Sequence, residues 1–261
     1  MRNVGVELQL NTVNVQTKDF TWETGFTFSK NHNELIELYG GKKDDVTNRW
    51  FIGEPIDVNY DYVFDGIWQT DEAEQAAVYG QKPGQVKVRD IDGNKVIDAD
   101  DKQILGQRSP KWIGSITSTF RYKDFDLSVY LYTQQGAQVQ DAFMSSFMTF
   151  EGNYNQLDVD YWTENNPSNE FPQPGNKGKY YDTMRYIDVS FVRVGSITLG
   201  WNIPKEWTKK IGIKNARLYF TTNNPFTFSS YKGFDPEWAT QNTWGTVTGY
   251  TTYLIGTKIE F

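Results

Sequence analysis

The chain has 261 residues and a formal net charge of −7, with no Cys and one His, His32. The acidic balance excludes the basic face that a nucleic-acid partner needs, and the missing Cys and lone His exclude a thiol nucleophile, a His-based triad and a Cys/His zinc cluster. Aromatics reach 16%, yet mean hydropathy is −0.63, a pairing that a transmembrane β-barrel reconciles by turning rings to lipid and alternate residues to a wet lumen.

The first hairpin covers residues 4–31, with a turn at Thr17-Lys18-Asp19. Its second arm is the clearer one: Phe20, Trp22, Phe26 and Phe28 hold even positions, against Thr21, Glu23, Gly25, Thr27 and Ser29 on odd ones. Alternation with period two is the signature of a strand with one apolar and one polar face. A long polar excursion follows over 32–111 and contains a β-like stretch at 56–69. The second hairpin pairs 112–120 with 125–132 through Tyr122-Lys123-Asp124, and Phe125, Leu127, Val129 and Leu131 oppose Asp126, Ser128, Tyr130 and Tyr132. After a second excursion at 137–185, strand 188–201 pairs with 216–222 through a short helical turn with Pro204 near its start. A third excursion, 223–249, leads to the terminal strand at 250–261. There Tyr253, Ile255, Ile259 and Phe261 share one parity with Thr257, while Thr252, Gly256, Lys258 and Glu260 hold the other and Leu254 is the one apolar exception.

Termini usually fray in water, so an alternation running to an aromatic last residue, Phe261, points to a strand whose pairing is obligatory, as in lipid. Short turns on one side and long loops on the other repeat along the chain. Compact soluble domains seldom carry several loops beyond about 15 residues, whereas outer-membrane barrels do. Counting back from Phe261 at the periplasmic side puts the turns at Lys18, Lys123 and Pro204 on that side and every long loop outside, provided 56–69 does not span. The expected fold is therefore all-β: residues 1–261 form an antiparallel transmembrane β-barrel segment of about seven spanning strands, with 32–111 as a long extracellular excursion. An odd strand number does not close a bacterial single-chain barrel. Met1-Arg2-Asn3 leads straight into a strand without a signal peptide, so the chain is expected to be the tail of a longer protein. No run of about 18 apolar residues marks a transmembrane helix.

One loop has the spacing of a calcium site. Asp90, Asp92, Asn94, Val96 (through its carbonyl), Asp98 and Asp101 fall at positions 1, 3, 5, 7, 9 and 12 of an EF-hand-like loop, and Ca²⁺ takes 6–8 oxygens. Lys95 stands where the sharp turn favours Gly, and Asp101 where the longer Glu is usual. The same residues also suit a surface turn whose side chains bond their own backbone; an ion here would brace a loop rather than catalyse. The loop aromatics Trp50, Trp68, Phe143, Phe147, Phe150, Tyr154, Trp162, Trp238 and Trp244 could stack on sugar rings or peptide side chains, or pack the loops together and meet a partner. Glu23, Asp126, Tyr130, Tyr132, Arg217 and Tyr219 are the lumen-facing candidates. Adjacent carboxylates at Asp44-Asp45 and Asp100-Asp101 lie on polar stretches and give no argument for a glycosidase. The competing reading is a soluble extracellular β-sandwich that binds carbohydrate and carries a structural calcium loop; it predicts the aromatic parity buried between two sheets.

Several short motifs, taken in order, carry a resemblance: Val6-Glu7-Leu8-Gln9-Leu10-Asn11, Phe64-Asp65-Gly66-Ile67-Trp68-Gln69, Asp90-Ile91-Asp92-Gly93-Asn94, Pro110-Lys111-Trp112, Ser190-Phe191-Val192-Arg193-Val194, Ile197-Thr198-Leu199-Gly200-Trp201-Asn202-Ile203-Pro204 and Tyr231-Lys232-Gly233-Phe234-Asp235-Pro236-Glu237. With terminal Phe261 they resemble the C-terminal part of SusC/RagA-type TonB-dependent outer-membrane transporters, over essentially the whole chain. The resemblance implies a plugged barrel of about 22 strands in the outer membrane of a Gram-negative bacterium. It also implies uptake of oligosaccharides or peptides with a SusD-like surface lipoprotein, energised through TonB by an N-terminal part outside this chain.

Overall fold

The computed structural model describes residues 1–141, 158–176, 178–239 and 249–261. β1 (Arg2–Gln16) and β2 (Phe20–Glu34) form the first hairpin. β3 (Val58–Tyr62), β4 (Phe64–Ile67), β5 (Val86–Val88) and β6 (Lys102–Gln107) lie in the first excursion. β7 (Trp112–Tyr122) and β8 (Phe125–Gln135) form the second hairpin, and β9 (Gln138–Gln140) and β10 (Tyr186–Asp188) flank the second excursion. β11 (Phe191–Asn202), β12 (Asn215–Ser229) and β13 (Thr252–Glu260) complete the series. Seven of these make one antiparallel sheet in the order β1-β2-β7-β8-β11-β12-β13. The stretch at 56–69 stays outside it: β3 pairs with β6 and β4 with β5 in separate two-stranded sheets.

Two irregularities explain where alternation is hard to read in the sequence. A register shift between Val13 and Val15 changes the phase of β1, so that Leu8 faces Phe28 and Leu10 faces Phe26, but Val15 rather than Asn14 faces Trp22. A second shift, between Val194 and Ser196, changes the phase of β11. Opposite it, β12 carries Asn224, at φ 50°, and Pro225. A bulge absorbs the N–H that Pro lacks, so β12 continues to Ser229, where the sequence reads as breaking at Thr222.

Registered across the seven strands, the apolar parity forms one continuous face. Trp22 stacks on Phe120, Phe125 on Trp201 and Phe220 on Tyr253, with Leu127 beside Leu199 and Ile255 beside Phe220 between them. Rings gather at both ends of this face. Tyr122, Phe125 and Trp207 are exposed at the turn end, and Trp112, Phe226 and Phe228 at the loop end. The 11-residue β7 is roughly 34 Å long at about 3.4 Å per residue; tilted by about 40° it covers about 25 Å, the height of a barrel's apolar band.

The dry core lies elsewhere. Ile67, Val86, Val88, Ile97, Trp162, Phe171, Tyr180 and Tyr181 pack together in the excursions, and a smaller group joins Ala137, Val139 and Val189. Among the described residues no second sheet covers the aromatic face: Ile255 is 77% exposed and Tyr253 72%. The sandwich expectation is overturned on this point. No helix among the described residues is long and apolar enough to cross a membrane, and the spanning elements are strands.

Candidate functional site

The polar face of the sheet is a graded wall. Near the short turns it carries a belt of charge. Arg121 donates to Glu23 at 2.7 Å, and Arg217 on β12 reaches across β11 to Asp126 on β8 at 2.5 Å. That crossing passes over Gly200, where a Cβ would collide with both Arg217 Nη2 and Asp126 Oδ1. The bridge exists because β11 offers no side chain there. Further along, hydroxyls zip neighbouring strands, with Thr198 and Thr221 at 2.9 Å and Thr27 and Ser115 at 2.7 Å.

At the loop end a buried knot ties a surface segment to the wall. Arg193 is 2% exposed. Its Nη2 donates to Asp235 Oδ1 and its Nη1 to Glu237 Oε2, both at 2.6 Å, and its Nε donates to Thr227 Oγ1 at 2.9 Å. The Tyr132 hydroxyl donates to the same Glu237 oxygen at 2.7 Å, and the guanidinium lies 4.9 Å from the centre of the Phe191 ring. A buried charge persists only when paired and hydrogen-bonded, and this one satisfies both conditions. Alongside, Tyr231 donates to Asp141 at 2.5 Å; burial and that carboxylate push its phenol well above its ordinary range. Just past the second excursion, burial and Asp61 push Tyr186 on β10 up to about 12, and its hydroxyl donates to Asp61 Oδ2 of the first excursion at 3.0 Å.

The acidic loop brings together three of its six expected ligands. One carboxylate oxygen each from Asp90, Asp92 and Asp101 lies within 4.8 Å of the others. Lys95 adopts the left-handed φ of 66° that its position demands. Asp101, fully buried, accepts from the N–H of Ile91 at 2.7 Å and of Asp98 at 2.9 Å. Asp92 Oδ2 accepts from Asn94 Nδ2, and Asn94 Oδ1 from the Val96 N–H. Asp98 instead caps a short helical turn, accepting from the Asp100 N–H at 2.9 Å. Although partial burial opposes it, the N–H groups of Lys95 and Gly93 and the Tyr79 hydroxyl hold the Asp90 carboxyl below its usual range. Hard oxygens at this separation suit Ca²⁺.

The aromatic candidates divide. Trp68 and Trp162 are each 3% exposed and belong to the loop core, which removes them from the contact surface. Trp68 Nε1 donates to Gln81 and its ring lies under Lys87 Nζ, while Trp162 Nε1 donates to Gln69. Trp50 is half-buried in a bridge with Asp45, and Trp238 is 40% exposed. Phe143, Phe147, Phe150, Tyr154 and Trp244 lie outside the described residues. Glu23, Asp126, Tyr130, Tyr132, Arg217 and Tyr219 all fall on the polar face, as the register requires. Tyr253, Ile255 and Ile259 fall on the apolar face, and Phe261 follows β13 at 88% exposure. Sequence reasoning overlooked Arg121, Arg193, Asp235 and Glu237 as site residues. The available signal was an arginine inside the apolar run Phe191-Val192-Arg193-Val194, which must find counter-charges elsewhere in the chain.

No protein-family model matches the chain. It is 30% identical over 254 residues to TonB-dependent receptor P3 of Formosa agariphila, covering 91% of this chain and 25% of that receptor. To TonB-dependent receptor SusC of Bacteroides thetaiotaomicron it is 29% identical over its full length, covering 26% of SusC. The chain thus spans about a quarter of the length of the curated relatives it matches. Among solved structures, the RagAB peptide transporter superposes with a TM-score of 0.78 over 99% of this chain and 29% of that one, at 24% identity, which establishes the likeness of fold. Sequence relatives and fold together identify this two-faced sheet as a SusC/RagA-type fragment of a TonB-dependent receptor.

Proposed function

We propose that the chain is a stretch of barrel wall in an outer-membrane nutrient importer that is energised through TonB and works with a SusD-like surface lipoprotein. The cargo of this reading is an oligosaccharide or a peptide. The carrying observation is the one-sided sheet: a continuous uncovered aromatic and aliphatic face, backed by a polar face organised into ion pairs and hydroxyl ladders. Such a sheet is stable only with hydrocarbon on one side and water on the other. The relatives are named as receptors and a transporter, and the reading assigns the chain no reaction of its own. In the same reading Ca²⁺ bound by Asp90, Asp92 and Asp101 braces the excursion on the extracellular side; EDTA should then raise amide exchange at 90–101, and unchanged exchange would remove the ion.

The test is fractionation of the native bacterium. The receptor containing this segment should sediment with outer membranes, shift in mobility when boiled, and co-purify with a surface lipoprotein. A soluble, monomeric, cooperatively folded segment in detergent-free buffer would overturn the reading.

A further inference from the structure

Charge and rings meet where the apolar face ends at the short turns. Residues 203–214 join β11 to β12 and carry four lysines and one glutamate, in a chain whose net charge is −7. A helical turn, Lys205–Thr208, runs straight into a tighter one, Lys209–Ile211, and Gly212 ends it in the left-handed region at φ 75°. Thr208 is buried, and its carbonyl accepts from the Ile213 N–H at 3.1 Å. Trp207, Lys210 and Ile211 stand three and four residues apart and so share one side of the turn. Trp207 is 57% exposed and Ile211 73%, although both are large and apolar.

The turn leans over the apolar face. The Trp207 ring meets Trp201 edge-on with centroids 6.0 Å apart, and Trp201 stacks on Phe125. Trp201 and Phe125 belong to the apolar parity, with Leu218 beside Trp201 and Leu199 beside Leu127. The neighbouring hairpin adds a cation: Lys123 Nζ lies 5.4 Å from the centre of the Tyr122 ring. The Asn202 N–H donates to the Asp124 carbonyl at 2.8 Å, which holds the two turns side by side. Lys214 pairs with Glu260 at 2.9 Å, and Lys205 lines a hollow with Asp124 and Glu260. Lys209 and Lys210 are exposed next to Ile211. The rest of a closed barrel joins this sheet at its edges, β1 and β13, and a plug meets its polar face. The apolar border of β8, β11 and β12 is left to the membrane.

We propose that this border seats an anionic phospholipid of the periplasmic leaflet. Lys123, Lys209 and Lys210 face its phosphate headgroup, Phe125, Trp201 and Trp207 lie at the level of the glycerol, and Leu199 and Leu218 run along the acyl chains. Tryptophan is at home in the headgroup layer, and lysines there are drawn to anionic lipid. The ring cluster continues without a break into the face that meets hydrocarbon, so the layer it reaches is lipid rather than a soluble partner. The inference rests on the barrel-wall reading and adds to it a preference for headgroup charge.

The experiment uses the full-length receptor with its lipoprotein, in nanodiscs of phosphatidylethanolamine doped with a diazirine-bearing phosphatidylglycerol or with the same diazirine on phosphatidylethanolamine. After irradiation, peptide mass spectrometry locates the label. The phosphatidylglycerol probe should label 203–214 about fivefold or more above the phosphatidylethanolamine probe. Lys209→Gln/Lys210→Gln should remove most of that difference, since one lysine at an anionic surface is worth about 1 kcal/mol, or roughly fivefold. Equal labelling of 203–214 by the two probes overturns the proposal, as does labelling indifferent to the lysine change. In the native bacterium, a photoreactive residue in place of Ile211 that captures a soluble protein instead of lipid overturns it too. A receptor whose β7 and β8 take no label from either probe fails the barrel-wall reading itself, and that failure is read on different peptides.

Discussion

Arg193→Leu isolates the buried knot. The leucine fills part of the volume but leaves Asp235, whose side chain is 6% exposed, and Glu237, 32% exposed, facing each other without their cation. Breaking a buried pair by removing one partner costs about 3–5 kcal/mol. The loss should appear locally, because β11 and β12 remain hydrogen-bonded to their neighbours regardless of the knot. The segment from Tyr231 to Trp238 should therefore detach while the sheet persists. In hydrogen–deuterium exchange on the full-length receptor, amides such as Glu237 N–H, which donates to Asp235 Oδ1 at 2.9 Å, should exchange faster. The ceiling, set by the segment's own opening energy, is roughly 150-fold for 3 kcal/mol. Amides of β8 and β11 should stay protected. Adding Asp235→Asn and Glu237→Gln to Arg193→Leu should recover much of the protection, since no charge is then stranded. Exchange within twofold of wild type in the single variant would refute the argument, as would equal loss in the triple variant.

Gly200→Ala forces the Asp126–Arg217 bridge open; because that pair is partly exposed, the cost should be about 1 kcal/mol in denaturant titrations. The same change made on an Asp126→Asn/Arg217→Gln background should cost markedly less, and equal costs would show that the bridge does not depend on the glycine. Tyr186 gives a pH dependence with a definite sign. Its folded value, about 12, lies above the ordinary 10.0, so its contribution to stability is fully present below pH 10 and is lost as pH rises toward 12. Tyr186→Phe should flatten the alkaline limb of the receptor's stability profile in that window; an unaltered limb would contradict the buried contact with Asp61.

Much of this architecture is legible in the residues themselves. The run Phe20–Ser29 alternates with Thr24 as the one polar residue on its aromatic parity, so its strand and faces follow from period alone, and the tight turn at Lys123, at φ 51°, sits where the alternation stops. The tail of β12 was hidden because Asn223-Asn224-Pro225 has the composition of a breaker, and only a bulge against β11 reconciles it with a strand. The Arg193 knot was illegible for a different reason: Asp235 lies 42 residues away, and no local periodicity encodes a pairing across that distance. Trp68 and Trp162 show a third limit. A tryptophan in a polar stretch packs inward or meets a ligand according to what the other loops bring, and here Gln81, Lys87 and Gln69 enclose them. In the acidic loop the carboxylates of Asp90, Asp92 and Asp101 lie together, whereas Asp98 takes up helix capping, which competes for the same oxygens.

The account stands on which side of the sheet meets hydrocarbon. Since this segment has no native Cys, single cysteines at Leu127 and Ile197 on one parity and Ser128 and Thr198 on the other can be spin-labelled in the full-length receptor embedded in lipid nanodiscs. Labels at 127 and 197 should relax with dissolved oxygen and ignore an aqueous nickel chelate, and labels at 128 and 198 should do the reverse. Oxygen-inaccessible labels at 127 and 197, or the opposite assignment of the two parities, would contradict the barrel wall.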